Sequence, residues 1–409
     1  MPTYFARWLI PVAGPIVENG ALTVLDGRIA AIAPRHRADL PAGDATFELG
    51  DVVLLPGFVN AHTHLEFSGL SQPLGRPGMS FPDWVREVLA YRRTAAFDPV
   101  AAIDAGLRES ADCGVTTIGD IASTIPEALF DRRPSHVEVV AFVEMLGLGE
   151  SRLADQLARL EAFLSRGDSP SVRRGISPHA PYSTRPALLE AAVARSAELG
   201  LPVAMHLAES REELELLRSG SGSFVDFLRE LGVWDPQAIP LGTTPLDYLR
   251  TLSGAHRALV VHGNYLASDE IDFLAARAER MSVVYCPRTH AYFAHDKHPL
   301  PRLLAAGASV ALGTDGRCTN PDLDMLAELR CVAASFPEIR PERILQLGTL
   351  DGARVLGRAS EIGSLAVGKQ ADFVAVAGAD ESEDPAAAVL SDSAYVVGVW
   401  KGGREVVAD

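Results

Sequence analysis

The sequence has few lysines, few cysteines and no long apolar run. Only three lysines occur among its 409 residues, and its four cysteines show no C-x-x-C spacing. That cysteine usage is typical of a reduced, intracellular protein and excludes a disulfide framework. No stretch approaches the roughly 20 apolar residues that a membrane-spanning helix needs. The first 20 residues show no signal-peptide pattern, so we expect a cytoplasmic protein.

Positive charge is also scarce, and this limits the partners that the protein can bind. The chain carries 37 lysines and arginines against 53 aspartates and glutamates, a formal net charge of −16. Nucleic acids and anionic membranes require a basic face, so we expect neither as a partner. We expect a small-molecule substrate instead. Homodimers are common among soluble proteins, and a homodimer is one assembly that we expect.

The two ends of the chain differ in pattern from its middle. Residues 1–55 contain apolar, strand-like runs on either side of Asp26-Gly27, and residues 357–409 contain similar runs around Gly402-Gly403. Both dipeptides are hairpin signals. We therefore predict that the two ends pair into one small β-domain, a β-sandwich, beside a catalytic domain formed by residues 56–356.

The middle of the chain alternates predicted strands with predicted helices, which indicates an α/β fold with a parallel sheet. Eight βα units close into a TIM barrel, whose active site lies at the carboxyl ends of the strands. A doubly wound open sheet is the alternative, but no glycine-rich phosphate-binding pattern follows a strand. The predicted strands are 52–61, 114–121, 136–146, 172–178, 202–207, 257–263, 281–287 and 309–314.

Histidines cluster at the ends of these predicted strands. The first strand leads into PGFVNAHTHLEFSGL, in which His62 and His64 are two residues apart and project from the same face of a strand. Hydrogen bonding of both rings to loop backbone is the alternative reading of this pair. Chemically active residues follow five other strands as well: His179 in SPHAPYS, His206 and Glu209 in MHLAES, His262 in VVHGNYL, Arg288 and His290 in CPRTHAYF, and Asp315 in GTDG. So many imidazoles at one face of a barrel indicate a metal site.

We predict that His62, His64 and His206 bind this metal, with Asp315 as a fourth ligand. Neutral imidazole and carboxylate groups suit Zn²⁺ or Fe²⁺ better than Mg²⁺, and we expect Zn²⁺ with Fe²⁺ as the alternative. Three protein ligands and a water molecule make an open catalytic site. Nitrogen-rich ligands keep the metal strongly Lewis acidic, so the bound water ionises near neutral pH.

These motifs resemble those of the amidohydrolase superfamily, in particular its cytosine-deaminase-like and chlorohydrolase-like (ATZ/TRZ) branch. The matching segments span residues 26–402 in the family's order and are PGFVNAHTH, SPHAPYS, HLAE, VVHG, CPRTH, GTD and IGSLAVGKQADFVAV. The resemblance implies a TIM barrel with a small β-domain built from both termini. Two-metal members use a carboxylated lysine after the fourth strand, and no lysine precedes Lys297 here. The resemblance therefore implies one metal ion.

The resemblance also implies how the site reacts. In similar single-metal enzymes, Asp315 accepts a proton from metal-bound water, Glu209 carries a proton to the substrate's ring nitrogen and then to the departing amine, and His262 orients the metal-bound hydroxide. Zinc nucleobase deaminases follow the same logic with other ligands. Purely structural roles are the alternatives: an ion pair of Glu209 with Arg211, or a loop contact of His262.

The spacing of Glu209 three residues after His206 resembles the deaminase pattern of this branch, which implies a hydrolytic deaminase of an adenine-type nucleoside. His179 resembles a histidine that contacts the purine, and Trp84 resembles a tryptophan beside the ribose, although a core position would also suit Trp84. The acid expected for ribose binding falls on Arg93 here. Glu66 or Glu87 are the candidates to replace it.

AHTHLEFSGL and CPRTHAYF resemble the 6-aminodeoxyfutalosine deaminases of menaquinone biosynthesis, which favours that nucleoside as the substrate. Its benzoate group suits an arginine, because a guanidinium binds a carboxylate bidentately. Arg288 and Arg317 are the candidates, and bracing a loop is the alternative role for each. S-adenosylhomocysteine, methylthioadenosine and adenosine remain alternative substrates. Hydrolysis of an imidazolonepropionate-like ring and triazine dechlorination remain alternative reactions.

A long connection separates the predicted fifth and sixth strands. Residues 210–256 include GSGS and GTTPLDYL, which predict a helical insertion near the mouth of the barrel. Connections of this length are often functional. We expect this insertion to cover the substrate.

Overall fold

The computed structural model describes residues 1–38, 45–94, 97–124, 136–378 and 384–406. Its strands form two sheets of eight. In chain order the strands are β1 Thr3–Leu9, β2 Val17–Leu25, β3 Arg28–Pro34, β4 Thr46–Glu48, β5 Val53–Pro56, β6 Phe58–Thr63, β7 Val115–Ala122, β8 Glu138–Met145, β9 Val172–Pro178, β10 Pro202–Leu207, β11 Arg257–His262, β12 Met281–Tyr285, β13 Ser309–Leu312, β14 Phe373–Ala377, β15 Tyr395–Lys401 and β16 Arg404–Glu405.

The helices lie mostly between and after strands β6–β13. They are α1 Phe81–Arg92, α2 Pro99–Asp112, α3 Leu153–Leu164, α4 Pro186–Leu199, α5 Arg211–Ser219, α6 Ser223–Glu230, α7 Pro245–Leu252, α8 Ser268–Ala275, α9 Pro287–Tyr292, α10 Leu300–Ala305, α11 Met325–Ser335, α12 Pro341–Leu347, α13 Leu350–Val355 and α14 Pro385–Val389. Short 3₁₀ turns occupy Arg35–Arg37, Leu65–Phe67 and Glu150–Arg152. No helix of the described ranges has the length and apolar character needed to cross a membrane.

Strands β6–β13 form the barrel. They follow one another in sequence order, and each pairs in parallel with the next. The two ends of this sheet meet beyond β13, where the Asp315 N–H donates to the His62 carbonyl oxygen at 3.0 Å. The Thr63 hydroxyl donates to the Asp315 carbonyl oxygen at 2.7 Å. The predicted α/β class and TIM-barrel architecture are therefore confirmed.

The second sheet combines both ends of the chain. Its order is β16-β15-β14-β5-β1-β2-β3, with β4 paired to β1. The predicted hairpins are present at Asp26-Gly27, between β2 and β3, and at Gly402-Gly403, between β15 and β16. Pairing of β14 with β5 joins the C-terminal strands to the N-terminal ones. The domain limits at residues 55/56 and 356/357 stay a prediction.

The predicted strand 52–61 is wrong as a single element. The chain passes from one sheet to the other at Gly57, so β5 belongs to the terminal sheet and β6 to the barrel. A side chain at position 57 would meet Thr116 Cγ2 at 2.4 Å, which explains the glycine at this crossing. The apolar run continues through the crossing because both strands are buried. His62 consequently lies within β6 rather than after it.

Three apolar clusters stabilise this arrangement. Alternate barrel residues such as Val59, Ala61 and Phe142 fill the barrel interior, as the two-residue period of a strand requires. A larger cluster lies between the strands and the surrounding helices. A third cluster, which includes Leu22 and Phe373, covers one face of the terminal sheet. The barrel interior is therefore a packed core, and the carboxyl ends of its strands are left to build a site.

Candidate active site

Histidines and a carboxylate converge at the carboxyl ends of the barrel strands. His62 and His64 come from the end of β6, His206 from β10, His262 from the end of β11 and Asp315 from the turn after β13. His64 Nε2 lies 3.3 Å from His206 Nε2. Asp315 Oδ1 lies 3.6 Å from His62 Nε2 and 3.7 Å from His64 Nε2. The structure thus brings together all four residues predicted as metal ligands.

The backbone around this cluster adopts conformations that non-glycine residues rarely adopt. Ala208, His262 and Asp315 have φ values of 54°, 69° and 58°. All three lie in the left-handed region of backbone conformation: Ala208 directly follows β10, His262 ends β11, and Asp315 lies three residues after β13. Such conformations cost of order 1–3 kcal/mol each and concentrate at functional sites. They turn the chain sharply, so the side chains at three strand ends point toward one centre.

The donor atoms fit a divalent metal ion. His62, His64 and His206 each offer a ligand atom within 4.8 Å of the others, and His62, His262 and Asp315 form a second such group. Both ring nitrogens of His62 are buried and have no hydrogen-bond partner among the described residues. Burial lowers the pKa of His62, His64 and His262 well below the usual value. Neutral imidazoles are the form that binds metals, and nitrogen and carboxylate donors suit Zn²⁺ or Fe²⁺.

His206 has a fixed tautomer. Its Nδ1 lies 3.0 Å from the His179 carbonyl oxygen. Because a carbonyl only accepts, Nδ1 carries the proton and Nε2 keeps its lone pair toward the cluster. Burial lowers the pKa of His206 to about 4, so the ring is neutral near pH 7. This arrangement is the one that a histidine ligand needs.

Glu209 lies beside the cluster and faces His262. Glu209 is 4% exposed, and its Oε1 lies 3.2 Å from His262 Nε2. Burial, together with the charge of Asp315, raises the pKa of Glu209 well above its usual value. A buried carboxyl that holds a proton near neutral pH can act as a general acid. The backbone of Glu209 is fixed as well, because Asn264 Nδ2 donates to its carbonyl oxygen at 2.9 Å.

A cavity of about 650 Å³ opens above the cluster. The residues of its floor include His64, His206, Glu209, His262 and Asp315. Its walls are mostly apolar, and the predicted insertion 210–256 supplies one of them through Phe227, Leu228, Leu231, Val233 and Trp234. Pockets with apolar walls and a few convergent polar groups are typical of small-molecule sites.

Two of the predicted substrate contacts lie in the wall of this cavity. His179 lines it, and its Nδ1 lies 2.6 Å from the hydroxyl of Ser183. Trp84 also lines it from the first turn of α1, which Ser80 caps. The indole Nε1 of Trp84 donates to the Cys318 carbonyl oxygen at 3.3 Å, which fixes the ring against the wall. Their roles as purine and ribose contacts stay predictions.

The structure does not bring the other predicted substrate residues into the cavity lining. Glu66 is buried and binds Arg92 and Ser123 instead. Arg288 forms a bidentate ion pair with Asp322, and Arg317 pairs with Glu109 at 2.7 Å. Each of these side chains is already held by a partner within the protein.

Sequence reasoning missed many residues of the cavity wall, among them the charged residues Arg92, Glu144 and Arg152. Glu144 had a visible signal, because it is an acid near the end of the otherwise apolar strand segment VVAFVEM. Arg152 had a weaker one, its position shortly after the same strand. Arg92 had none, because a helix distant in sequence brings it to the barrel.

The comparisons with known proteins agree with this architecture. A model of the amidohydrolase family matches residues 53–406. The chain is 30% identical over 388 residues to a 5-methylthioadenosine/S-adenosylhomocysteine deaminase of Moorella thermoacetica, covering 90% of this chain and 83% of the relative. It is 25% identical to the crystallised aminofutalosine deaminase of Helicobacter pylori, with a TM-score of 0.85 and all of both chains covered. It is also 25% identical to a zinc-bound adenosine deaminase of Xanthomonas campestris, with a TM-score of 0.82 and coverage of 99% and 92%.

The chain therefore belongs to the amidohydrolase family. It is a metal-dependent hydrolase that acts on a carbon–nitrogen bond of a cyclic amidine, a hydrolytic deaminase. The predicted family and enzyme class are confirmed.

Proposed function

We propose that the protein deaminates an adenine-type nucleoside, using one metal ion held by His62, His64, His206 and Asp315. The observation that carries the proposal is the buried Glu209 carboxyl, which faces His262 at 3.2 Å on the floor of a nucleoside-sized cavity. A neutral purine ring is attacked only when protonation makes it electrophilic. Glu209 is the proton donor at that position.

The residues of the site have separate roles in the proposed reaction. His62, His64, His206 and Asp315 would hold the divalent ion, which would supply Lewis acidity to the reaction. Asp315 accepts the proton of the attacking water. Glu209 delivers its proton to the purine ring nitrogen beside the reacting carbon. It then takes the remaining hydroxyl proton of the former water and gives it to the amine, which leaves as ammonia, and the proton held by Asp315 returns to Glu209. His262 orients the nucleophile, and His179 contacts the purine.

We propose 6-aminodeoxyfutalosine as the preferred substrate, which would place the enzyme in menaquinone biosynthesis. The likeness to the aminofutalosine deaminase supports this choice, and the deaminase relatives support methylthioadenosine or S-adenosylhomocysteine as the rival. The benzoate of the preferred substrate needs a cationic partner. Arg152 suits that role better than Arg288 or Arg317, because it lines the cavity, is exposed and has no ion-pair partner in the described ranges.

Substitution of Glu209 tests the reaction. Glu209→Gln keeps the shape of the side chain but removes its acid, so we expect ammonia release to fall by at least a hundredfold, the lower range of general acid–base contributions. Metal content should stay at the wild-type level. Glu215→Gln is the matched control, since Glu215 is an exposed acid on α5 and is not among the cavity residues. Full activity of Glu209→Gln would refute the proposed mechanism, and products without ammonia would indicate ring hydrolysis or dechlorination.

A further inference from the structure

The cavity wall contains a buried carboxyl that the proposed reaction does not use. Glu144 is 3% exposed, and its Oε2 has no hydrogen-bond partner within the described residues. Its other oxygen, Oε1, lies 3.7 Å from His179 Nε2, beyond hydrogen-bond distance. Leaving a buried polar group without a partner costs free energy. A buried carboxyl oxygen that has no partner, at the wall of a cavity, can accept a hydrogen bond from a ligand.

The fold places Glu144 at a definite distance from the reacting end of the cavity. It lies near the end of β8, next to β9, and pairs in register with Ser177. His179 follows β9, and its ring lies 4.9 Å from the ring of His206. His179 thus lies next to both Glu144 and the metal cluster. Glu144 therefore lies beside the residue that the proposed function assigns to the purine.

Arg92 completes the polar part of this wall. Its guanidinium is fixed by the ion pair with buried Glu66 and lies 5.1 Å from the centre of the Phe67 ring. The Nε of Arg92 is buried and has no hydrogen-bond partner in the described ranges. The ion pair with Glu66 thus fixes Arg92 at a position where it lines the cavity. Arg92 and Glu144 both line the mostly apolar cavity, one as a hydrogen-bond donor and the other as an acceptor.

Among the described residues, the other carboxyl groups that line the cavity already have a role or a hydrogen-bond partner. Glu209 and Asp315 belong to the reacting cluster. Asp235 is half-buried and accepts the backbone N–H of Gln237 at 2.9 Å. Glu144 is therefore the lining acid left to recognise a part of the substrate that does not react.

We infer that Glu144 accepts hydrogen bonds from the two vicinal hydroxyls of the substrate's sugar, with Arg92 as a donor to the same sugar. The inference rests on the proposed function and adds the residue that selects a ribonucleoside. The two oxygens of a carboxylate match two adjacent hydroxyl donors. Hydrogen bonds of hydroxyls to a carboxylate are also stronger than those between neutral groups. This site replaces the ribose-binding acid that the sequence lacks at Arg93.

The test combines a substitution with substrates that lack the hydroxyls. Ammonia release is measured for wild type, Glu144→Gln and Glu150→Gln with adenosine, 2′-deoxyadenosine, 3′-deoxyadenosine and 2′,3′-dideoxyadenosine. We expect wild type to lose at least tenfold in kcat/KM when both hydroxyls are removed. Glu144→Gln should lose at least tenfold with adenosine, mainly through KM, and little with the dideoxy substrate. Glu150→Gln, an exposed acid shortly after the same strand, should behave as wild type, and metal content should not change.

Equal losses of Glu144→Gln on adenosine and on dideoxyadenosine would overturn the inference and assign Glu144 a structural role. Equal rates of wild type on both substrates would also overturn it. Absence of ammonia from every substrate with metal-loaded wild type would instead refute the proposed function, and this inference with it. If Glu144→Gln does not fold, Glu144→Asp keeps the charge but withdraws the oxygens. It should then show the same loss, confined to hydroxyl-bearing substrates.

Discussion

Arginines at the active face differ in whether they are already paired. Arg288 and Arg317 hold Asp322 and Glu109, so a substrate carboxylate would have to displace an internal partner. Arg152 has no such partner in the described part of the chain and lies on the cavity wall. A free guanidinium binds a carboxylate without breaking an existing ion pair. Arg152 is therefore the arginine whose removal should alter substrate preference.

Arg152→Gln should reduce kcat/KM for 6-aminodeoxyfutalosine by at least tenfold and leave methylthioadenosine, which has no carboxylate, within twofold of wild type. Tenfold corresponds to about 1.4 kcal/mol of lost interaction. Arg288→Gln tests the earlier candidate and should destabilise the fold without changing the ratio between the two substrates. Equal losses on both substrates in Arg152→Gln would show that Arg152 does not recognise the carboxylate.

The histidines were predictable from sequence and several other site residues were not, for a physical reason. His62, His64, His206 and His262 all fall at strand ends, where a parallel barrel directs its side chains to one face. The direction in which a helix turns its side chains is not visible in the same way. Arg288 also follows a strand, yet α9 turns it toward Asp322 and away from the cavity. Glu144 did carry a signal, as an acid inside an apolar strand segment, but a single acid in a strand does not indicate that it lines a cavity.

At the scale of elements, the turn between β10 and α5 positions the proton donor. Glu213 Oε1 accepts the Ala208 N–H and Oε2 accepts the Glu209 N–H, both at 2.9 Å. Ser210 caps α5 by accepting the Glu213 N–H at 3.1 Å. These bonds stabilise the left-handed conformation of Ala208, which turns Glu209 toward His262. Glu213 is thus a positioning residue for Glu209.

Glu213→Gln should lower kcat more than it raises KM, because an amide has one acceptor oxygen and leaves one of the two backbone N–H groups unsatisfied. The unsatisfied group should also lower the free energy of unfolding by about 1–3 kcal/mol. Steady-state kinetics with a denaturation curve measure both effects. Glu212→Gln, a half-buried neighbour on the same helix, is the control and should change neither. A normal kcat in Glu213→Gln would remove its positioning role.

The insertion between β10 and β11 could be predicted as helical but not in detail. Its three helices, α5, α6 and α7, match the helical signals in 210–256. The segment after α6 forms part of the cavity wall, through Leu231, Val233 and Trp234. Sequence pattern indicates that such a segment is amphipathic but does not specify the distant surface on which it packs. Its contribution to the cavity became visible only in the structure.

At the scale of the whole molecule, the cluster joins strands from opposite sides of the barrel. Its ligands come from β6, β10 and the turn after β13, and β6 and β13 are the two ends of the sheet. A bound metal ion would link these ends through side chains in addition to the hydrogen bonds between them. Metal binding should therefore stabilise the whole barrel as well as the reaction centre.

Removal of metal by a chelator should abolish ammonia release and lower Tm. An ion present at a hundred times its Kd stabilises the folded state by about 2.7 kcal/mol. Calorimetry before and after chelation measures the shift, and readdition of Zn²⁺ or Fe²⁺ in separate samples tests which ion restores both properties. His206→Asn should resemble the chelated enzyme in activity and Tm. An unchanged Tm with full activity after complete metal removal would contradict the ligand assignment.

Most of the architecture could be predicted because it depends on patterns along the chain. Alternating strands and helices predicted the barrel, and the two hairpin dipeptides predicted the terminal sheet. The crossing at Gly57 could not be predicted, because one apolar run serves two sheets and the burial of both strands hides the boundary. Only the close approach of Thr116, distant in sequence, shows why the chain turns there.

The most direct test of the account is ammonia release by metal-loaded wild-type protein from a panel of amines. The panel contains 6-aminodeoxyfutalosine, adenosine, methylthioadenosine, S-adenosylhomocysteine, guanine and cytosine. We predict release from the adenine nucleosides, with kcat/KM for 6-aminodeoxyfutalosine at least tenfold above the others, and none from guanine or cytosine. Release from none of the nucleosides by folded, metal-containing protein would contradict the proposed function.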